Sequence, residues 1–387
     1  MLIFVVTPLF PNIYNNQYGI YVYEQCRTLH KAGNKVIVLD ISPVRWKRWG
    51  DKSCKEIMRR SVGNIEVYTL NPRGLLSSRL PRYTVFSAWN NLKKLYSAAA
   101  LRHGRPDIFH AHFTFPAGYI TSKLSKRINI PFVVTEHYSL FLKPKIHEYT
   151  KKILNETINN ASEFICVSNN LKSAIEKWVS PKKNICVIPN LIDDRFKYHR
   201  MVPKEGKFVF FSAGNLVESK GFDLLIESFS SAFDSQENVC LNIAGDGKDF
   251  NKLLDMIKKK NRQKQIRLLG RLNRDEMLKQ YVECDCFVLP SKYETFGIVY
   301  REAMAVGRPV ISTKNGGIEE GWEDNFGILV PIGDKQSLSE ALLKIYERKD
   351  TFNPEYISKK CLQQYSSDVI GARIDYILKS VVKSDLN

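Results

Sequence analysis

The sequence has no Cys-x-x-Cys pair and no His/Cys cluster at zinc spacing, so its eight cysteines do not read as a metal-binding set. They are scattered from Cys26 to Cys361, and single thiols in a reducing cytoplasm fit them better than a disulfide framework. No apolar run approaches the ~20 residues needed to cross a bilayer. The stretch 1–8 is apolar but short, with no basic leader and no small-residue cleavage site, and it reads as a first strand. No Asp-x-Asp stands at a strand end; Asp193-Asp194 is an adjacent pair in a linker. There is no short repeat, no low-complexity tract and no DNA- or RNA-reading motif. Acidic residues are scarce in one half only: 31 Lys+Arg face 13 Asp+Glu up to residue 200, and 27 face 27 after it. The whole excess of +18 therefore sits in the first half. Such a half suits an anionic partner, whether phospholipid head groups, a pyrophosphate-linked lipid or nucleic acid, or it is simply a solvated basic surface.

What is present is alternation. Short β-branched runs at 2–6, 35–40, 107–110, 131–135, 163–167 and 185–188 are separated by helical stretches at 19–32, 84–102, 116–128, 146–160 and 169–178. The pattern repeats with strands at 207–212, 239–244, 266–269, 286–289, 309–312 and 327–330, and helices at 220–233, 247–260, 274–284, 297–306 and 335–348. Strands alternating with helices mean βαβ units around a parallel sheet. Two such runs in 387 residues predict an α/β chain of two Rossmann-like, doubly wound domains. The polar stretch Asp193–Gly206 divides them, which gives domains 1–200 and 201–367. A last helical segment, 368–387, is expected to cross back to the first domain.

In open parallel sheets ligands sit beyond the carboxyl ends of the strands, so the polar segments after each strand carry the search for chemistry. Gly214-Asn215-Leu216-Val217-Glu218-Ser219-Lys220-Gly221 follows the strand 207–212. It reads either as a diphosphate cradle, with Lys220 at a helix start, or as a tight turn with a surface lysine. Ala244-Gly245-Asp246-Gly247 reads alone as a structural loop. After 286–289 come Glu294 in a loop and Glu302 in the following helix, eight positions apart. Two carboxylates so placed can accept hydroxyls from different parts of one extended ligand. The helix start Phe296-Gly297-Ile298-Val299 offers free N–H groups to phosphate. In the first half, His110 and His112 share one strand face. They read as buried, hydrogen-bonded imidazoles or, less well, as a metal pair without a third ligand.

The string Glu294 to Glu302, followed by Gly307-Arg308-Pro309-Val310, resembles the signature of glycosyltransferase family 4, retaining enzymes of the GT-B fold. Gly214 to Gly221 is similar to that family's phosphate-binding turn, Gly270-Arg271-Leu272 to a turn near the nucleobase, and Gly316-Gly317-Ile318-Glu319-Glu320 to its Gly-Gly-x-Pro-Glu segment. Ser168 and Pro189-Asn190 match the end of the first domain, and Gly19 lies in a loop like the one near the donor phosphates. His112 matches the histidine beside the transferred sugar, and Thr135-Glu136-His137 another strand end on the same rim. The resemblance implies two domains facing across a cleft, a metal-independent hexosyltransferase, no cofactor, and a nucleotide-diphosphate sugar as donor. It assigns catalysis to His112, Glu294 and Lys220. It assigns donor binding to Gly19, Gly214, Asn215, Lys220, Arg271, Glu294, Phe296, Gly297, Ile298, Val299 and Glu302. Three positions depart from the pattern: Asn215 replaces an arginine, Ile20 a glycine and Glu319 a proline. Arg271, Arg301 or a first-domain residue is a candidate to replace the missing cation.

The basic first domain would hold the acceptor. Arg45-Trp46-Lys47-Arg48-Trp49, with Lys52, Lys55, Arg59 and Arg60, mixes cations with interfacial tryptophans. The expectation is a cytoplasmic protein, peripheral at the inner face of the membrane, acting on a saccharide or lipid-linked acceptor in surface-polysaccharide assembly. The same fold also admits a nucleotide-sugar epimerase or a phosphorylase, and the charge admits a nucleic-acid binder.

Overall fold

The computed structural model describes residues 1–12, 15–42, 56–70, 81–180, 184–200, 206–348 and 351–386. The chain divides into two compact units, Met1–Leu191 with Ser367–Asn387, and Ile192–Ser366. The division falls at Leu191/Ile192, before the polar stretch to which the sequence assigns it.

Unit 1 runs β1 (Leu2–Thr7), α1 (Ile20–Lys31), β2 (Lys35–Asp40), β3 (Ile57–Val62), β4 (Ile65–Leu70), α2 (Pro81–His103), β5 (Ile108–His112), α3 (Tyr119–Ile128), β6 (Phe132–Glu136), α4 (Glu148–Asn160), β7 (Glu163–Cys166), α5 (Asn169–Glu176) and β8 (Cys186–Val187). Its sheet has the order β3-β4-β2-β1-β5-β6-β7-β8. The central strands are buried on both faces, which is why they read as near-continuous apolar runs.

β3 and β4 carry no clear signal in the residue pattern, and the expectation of a wholly parallel sheet fails there. The two strands form an antiparallel hairpin at the sheet edge. β3 is mostly exposed and carries Arg59, Arg60 and Ser61, a charged edge with little apolar signal to find.

Unit 2 runs β9 (Phe208–Ala213), α6 (Phe222–Ala232), β10 (Val239–Ala244), α7 (Phe250–Lys259), β11 (Ile266–Gly270), α8 (Arg274–Glu283), β12 (Cys286–Leu289), α9 (Ile298–Val306), β13 (Val310–Thr313), β14 (Gly327–Val330), α10 (Lys335–Glu347) and α11 (Pro354–Tyr365). All its strand pairs are parallel, in the order β11-β10-β9-β12-β13-β14. Counted from β9, that is the dinucleotide-binding order 3-2-1-4-5-6. Helix α11 is a further element not expected from periodicity, although Asn353 caps it and Pro354 opens it, a legible start signal.

The last helix, α12 (Ser367–Leu386), belongs to unit 1. Its Ile370, Ile374 and Leu378 enter the same core cluster as Val22, Cys26 and Leu29 of α1. Asn34 Nδ2 donates to Asp375 at 2.7 Å. No helix of the described residues is long and apolar enough to cross a membrane.

The parallel strands reverse their winding direction between β1 and β5 in unit 1 and between β9 and β12 in unit 2. Ligands of open α/β sheets bind at such switch points. Gly19 follows β1, His112 ends β5, Gly214 follows β9, and Glu294 follows β12.

Candidate active site

In unit 2 the strand ends bring together side chains 74 positions apart: Lys220 Nζ donates to Glu294 Oε1 at 2.5 Å. Lys220 closes a short 3-10 turn, Glu218–Lys220, and Gly221 then takes the left-handed conformation that opens α6. Only glycine fits there, because φ is +69° and an added Cβ would lie 2.3 Å from the Pro290 carbonyl oxygen. The turn is thereby pressed against the loop after β12, and Lys292 N–H donates to Ser219 O at 2.8 Å.

Glu294 is held from several sides. Ser291 Oγ donates to the same Oε1 at 2.9 Å, and Glu294 N–H donates to Asn315 O at 3.1 Å. Gly317 lies against it so closely that an added Cβ would be 2.4 Å from the Glu294 Cβ. Asn315 Nδ2 in turn donates to Tyr300 OH at 3.0 Å, and Tyr300 OH to Leu289 O at 2.8 Å. The carboxylate beside Lys220 is thus fixed by the end of β12, the start of α9 and the Gly316–Glu320 segment.

Glu302 belongs to a different, deeper arrangement. It is 1% exposed; Arg274 Nη1 donates to its Oε1 at 2.7 Å and Tyr281 OH to its Oε2 at 3.0 Å. Arg274 also lies 3.7 Å from Asp193 and 4.3 Å over the Phe196 ring. Each Glu302 oxygen keeps one lone pair beyond these partners. The two carboxylates of the motif therefore have distinct partners. Nothing local in the sequence singles out Arg274, Tyr281, Ser291 or Asn315 as those partners.

Asn215 is exposed at the turn after β9, without a side-chain hydrogen bond among the described residues. Arg271 is exposed after β11, 3.1 Å from Asp246 of the neighbouring loop. Arg301 does not replace the missing cation. It is 1% exposed, and its Nη2 donates to Ile318 O at 3.1 Å and to Glu320 O at 2.9 Å. Its guanidinium lies 4.8 Å from the Tyr365 ring and 5.6 Å from that of Phe296. It clamps the two carbonyls on either side of Glu319, the position where the resembled segment carries proline. Phe296 is consequently a packing residue by its side chain, and Gly297, Ile298 and Val299 form the start of α9. A cavity of about 340 Å³ in this unit is lined by Gly221, Lys248, Lys252, Pro290 and Lys292 among others, and touches neither Glu294 nor Glu302.

In unit 1, Gly19 is the left-handed cap of α1. His112 Nδ1 and His137 Nε2 share a hydrogen bond of 3.0 Å, and His110 Nε2 lies 2.8 Å from Thr135 Oγ1. All three imidazoles are buried. Burial pulls His110 down to about 4 and His137 to about 3, and pulls His112 well below its ordinary value. At neutral pH the cluster is uncharged. His112 Nε2 is buried with no hydrogen-bond partner among the described residues. Glu136 organises the rim: its carboxylate accepts from the backbone N–H of Thr114 (2.7 Å), His137 (2.8 Å) and Tyr138 (2.7 Å). No group of three or more metal-ligating side chains forms among the described residues.

The basic-aromatic stretch Arg45–Lys55 lies outside the described residues. Arg59 and Arg60 are on the edge strand and face carboxylates, Glu66 at 3.7 Å and Asp40 at 3.4 Å, so these two are not spare cations.

Known protein families match both halves of the chain. Residues 19–196 match the model of Glycosyltransferase Family 4, and residues 194–360 that of Glycosyl transferases group 1. The uncharacterized glycosyltransferase MJ1178 of Methanocaldococcus jannaschii is 31% identical over 247 residues, 63% of this chain and 66% of that one. A phosphatidylinositol N-acetylglucosaminyltransferase chain of Arabidopsis thaliana is 26% identical over 381 residues, 97% of this chain and 80% of that one. Among solved structures, Anabaena HepE in complex with UDP and glucose superposes with a TM-score of 0.74 at 17% identity, covering 98% of this chain and all of HepE.

Proposed function

The chain belongs to the family 4 glycosyltransferases of GT-B fold, and from that premise we propose that it moves a hexosyl unit from a nucleotide-diphosphate sugar to a saccharide or lipid-linked acceptor hydroxyl, with retention and without a metal. The observation that carries this reading is the Lys220–Glu294 pair at the switch point of the unit 2 sheet. Breaking the anomeric C–O bond leaves positive charge on the sugar and negative charge on the departing diphosphate. An ammonium and a carboxylate side by side match that separation of charge. Lys220, with the N–H groups that open α6 and α9, stabilises the diphosphate. Glu294 accepts from the sugar hydroxyls. Gly214, Asn215 and Arg271 line the turns next to the diphosphate and base, and Glu302 uses its remaining lone pairs for the ribose.

His112 supplies an uncharged hydrogen-bonding group to the reacting saccharide. With the proton of the shared bond on His137 Nε2, His112 Nδ1 accepts and its Nε2–H is the donor. The acceptor hydroxyl attacks from the face the diphosphate leaves, and its proton goes to the departing phosphate oxygen. A UDP-type donor is supported by HepE, whose complex holds UDP and glucose; a lipid acceptor is supported by the phosphatidylinositol-directed relative. The excess of cations in the first half supports a place at an anionic membrane surface.

The test combines thermal-shift screening of UDP, GDP, ADP and CMP, with and without chelator, and kinetics of Glu294→Gln. The expected result is a chelator-insensitive shift with one nucleotide diphosphate. Glu294→Gln should lower kcat by about 100-fold or more while nucleotide affinity changes little. Equal losses in turnover and nucleotide affinity would remove Glu294 from the reacting sugar.

A further inference from the structure

Helix α2 carries two stripes. Val85, Ala88, Leu92, Leu95 and Ala99 are buried against the unit 1 sheet. Arg82, Phe86, Trp89 and Lys93, also at helical spacing, lie on another face. Helix α3 runs beside it and exposes Lys123, Lys126 and Arg127. Between the two helices is a cavity of about 650 Å³. Val85, Phe86 and Trp89 form its apolar wall, and Arg82, Lys123, Lys126 and Arg127 its charged one.

Two features set this groove apart from an ordinary basic surface. Neither helix contains a single Asp or Glu, over 23 residues of α2 and 10 of α3. The cations stack on rings rather than on carboxylates of the described residues: Arg127 is 5.0 Å and Lys93 5.4 Å from the Trp89 ring, Lys123 4.4 Å from Tyr119, and Arg82 5.5 Å from Tyr149. Phe86 is 63% exposed at the rim, an aromatic held out into solvent in the middle of the charge. An aromatic wedge ringed by cations stacked on rings is the arrangement that meets the head-group layer of an anionic bilayer.

We propose that the α2–α3 groove is the membrane-docking site of this protein, taking the phosphate of an anionic phospholipid between Lys123, Lys126 and Arg127 while Phe86 enters the head-group layer. The proposal rests on the membrane reading above but moves it away from Arg59 and Arg60, whose charges already face Glu66 and Asp40. Helix α3 starts seven residues after His112, so the docking helix is directly tethered to the histidine rim.

The experiment is co-sedimentation of the full chain with vesicles of phosphatidylcholine alone and of phosphatidylcholine containing phosphatidylglycerol, at low and high salt. Three proteins are compared: wild type, Lys123→Glu/Arg127→Glu, and Phe86→Ser. All substituted side chains are at the surface, and an unchanged melting temperature and nucleotide-induced shift verify that each protein is folded. Wild type should bind the anionic vesicles only, and less so at high salt. Loss of two cations should weaken that binding on the order of 30-fold, and reversal of their charge by more. Phe86→Ser should weaken it by a smaller factor that persists at high salt. Wild-type binding retained in the double variant overturns the groove and leaves the membrane reading standing. No binding of the wild type to anionic vesicles overturns both. Groove-dependent binding of an oligonucleotide in place of vesicles also overturns the assignment.

Discussion

The two units share a doubly wound scaffold and put their candidate groups at the same topological place, yet they use opposite electrostatics there. Unit 2 is nearly balanced in charge, and its site consists of ion pairs, Lys220–Glu294 and the deeper Arg274–Glu302. Unit 1 is strongly basic, and the ends of β5 and β6 at its switch point carry neutral imidazoles over a buried Glu136. Burial decides the difference. A fixed charge can be kept at low exposure only with a partner, and unit 2 supplies one for each of its site groups. The strand-end histidines of unit 1 have no such partner, so they stay uncharged, and cations gather instead on the outer face of α2 and α3. A domain's net charge therefore says little about its site: the basic unit has the uncharged rim.

The contrast can be broken most severely in unit 2. Arg274→Ala leaves Glu302 buried without its cation, and unit 2 should lose about 3–5 kcal/mol, seen as a large fall in melting temperature. An unchanged melting temperature would mean that the pair is solvated and the contrast false.

Acid is the corresponding probe of unit 1. His110 and His137 have folded-state values of about 4 and about 3, below the ordinary 6.5. The unfolded chain then binds more protons, so stability is complete above pH 6.5 and falls as pH drops from there toward 4. Each of the two imidazoles costs about 1.4 kcal/mol per pH unit in that window, or about 3 kcal/mol together at pH 5.5. Hydrogen exchange should show β5 and β6 opening before β9 and β12. Simultaneous opening would place the acid-sensitive groups elsewhere.

A third probe separates positioning from packing. His137→Ala removes the partner of His112 Nδ1 and should lower kcat on the order of 100-fold with little change in donor affinity, because the reacting geometry loosens while the unit 2 pairs are untouched. His137→Asn, which can still hydrogen-bond, should recover part of the loss. If both variants lose donor affinity instead, the imidazole pair is structural. The mildest probe adds what unit 2 lacks: Asn215→Arg should tighten nucleotide-diphosphate binding about fivefold, the effect of one exposed charge contact. No change would show that Arg271 or the backbone already meets that need.

Much of the fold is legible in residue order. Strand-helix alternation locates all but three of the main elements, because period-2 and period-3.6 patterns are local properties of the chain. The exceptions are instructive: β3 is a charged edge without an apolar face, β4 pairs with it through a tight turn, and α11 begins at a cap signal that periodicity alone does not register. Glu294, Lys220 and the Gly316–Glu320 segment stand out by motif, since backbone approach and anion contacts demand glycine and charge at set spacings.

Spacing cannot tell which of those groups meet. That Lys220 reaches Glu294 across 74 positions, that α12 returns across 341 positions to place Asp375 on Asn34, and that Arg301 turns inward to two carbonyls all depend on strand order and helix packing. Residue order settles the α/β class, the two windings and the motif residues, because these follow from local periodicity and from chemistry at single positions. Folding in space settles the pairings, the neutral state of the histidines and the ring-stacked cations of α2 and α3. Burial and partnership are properties of spatial neighbours, and those neighbours are set by non-local packing.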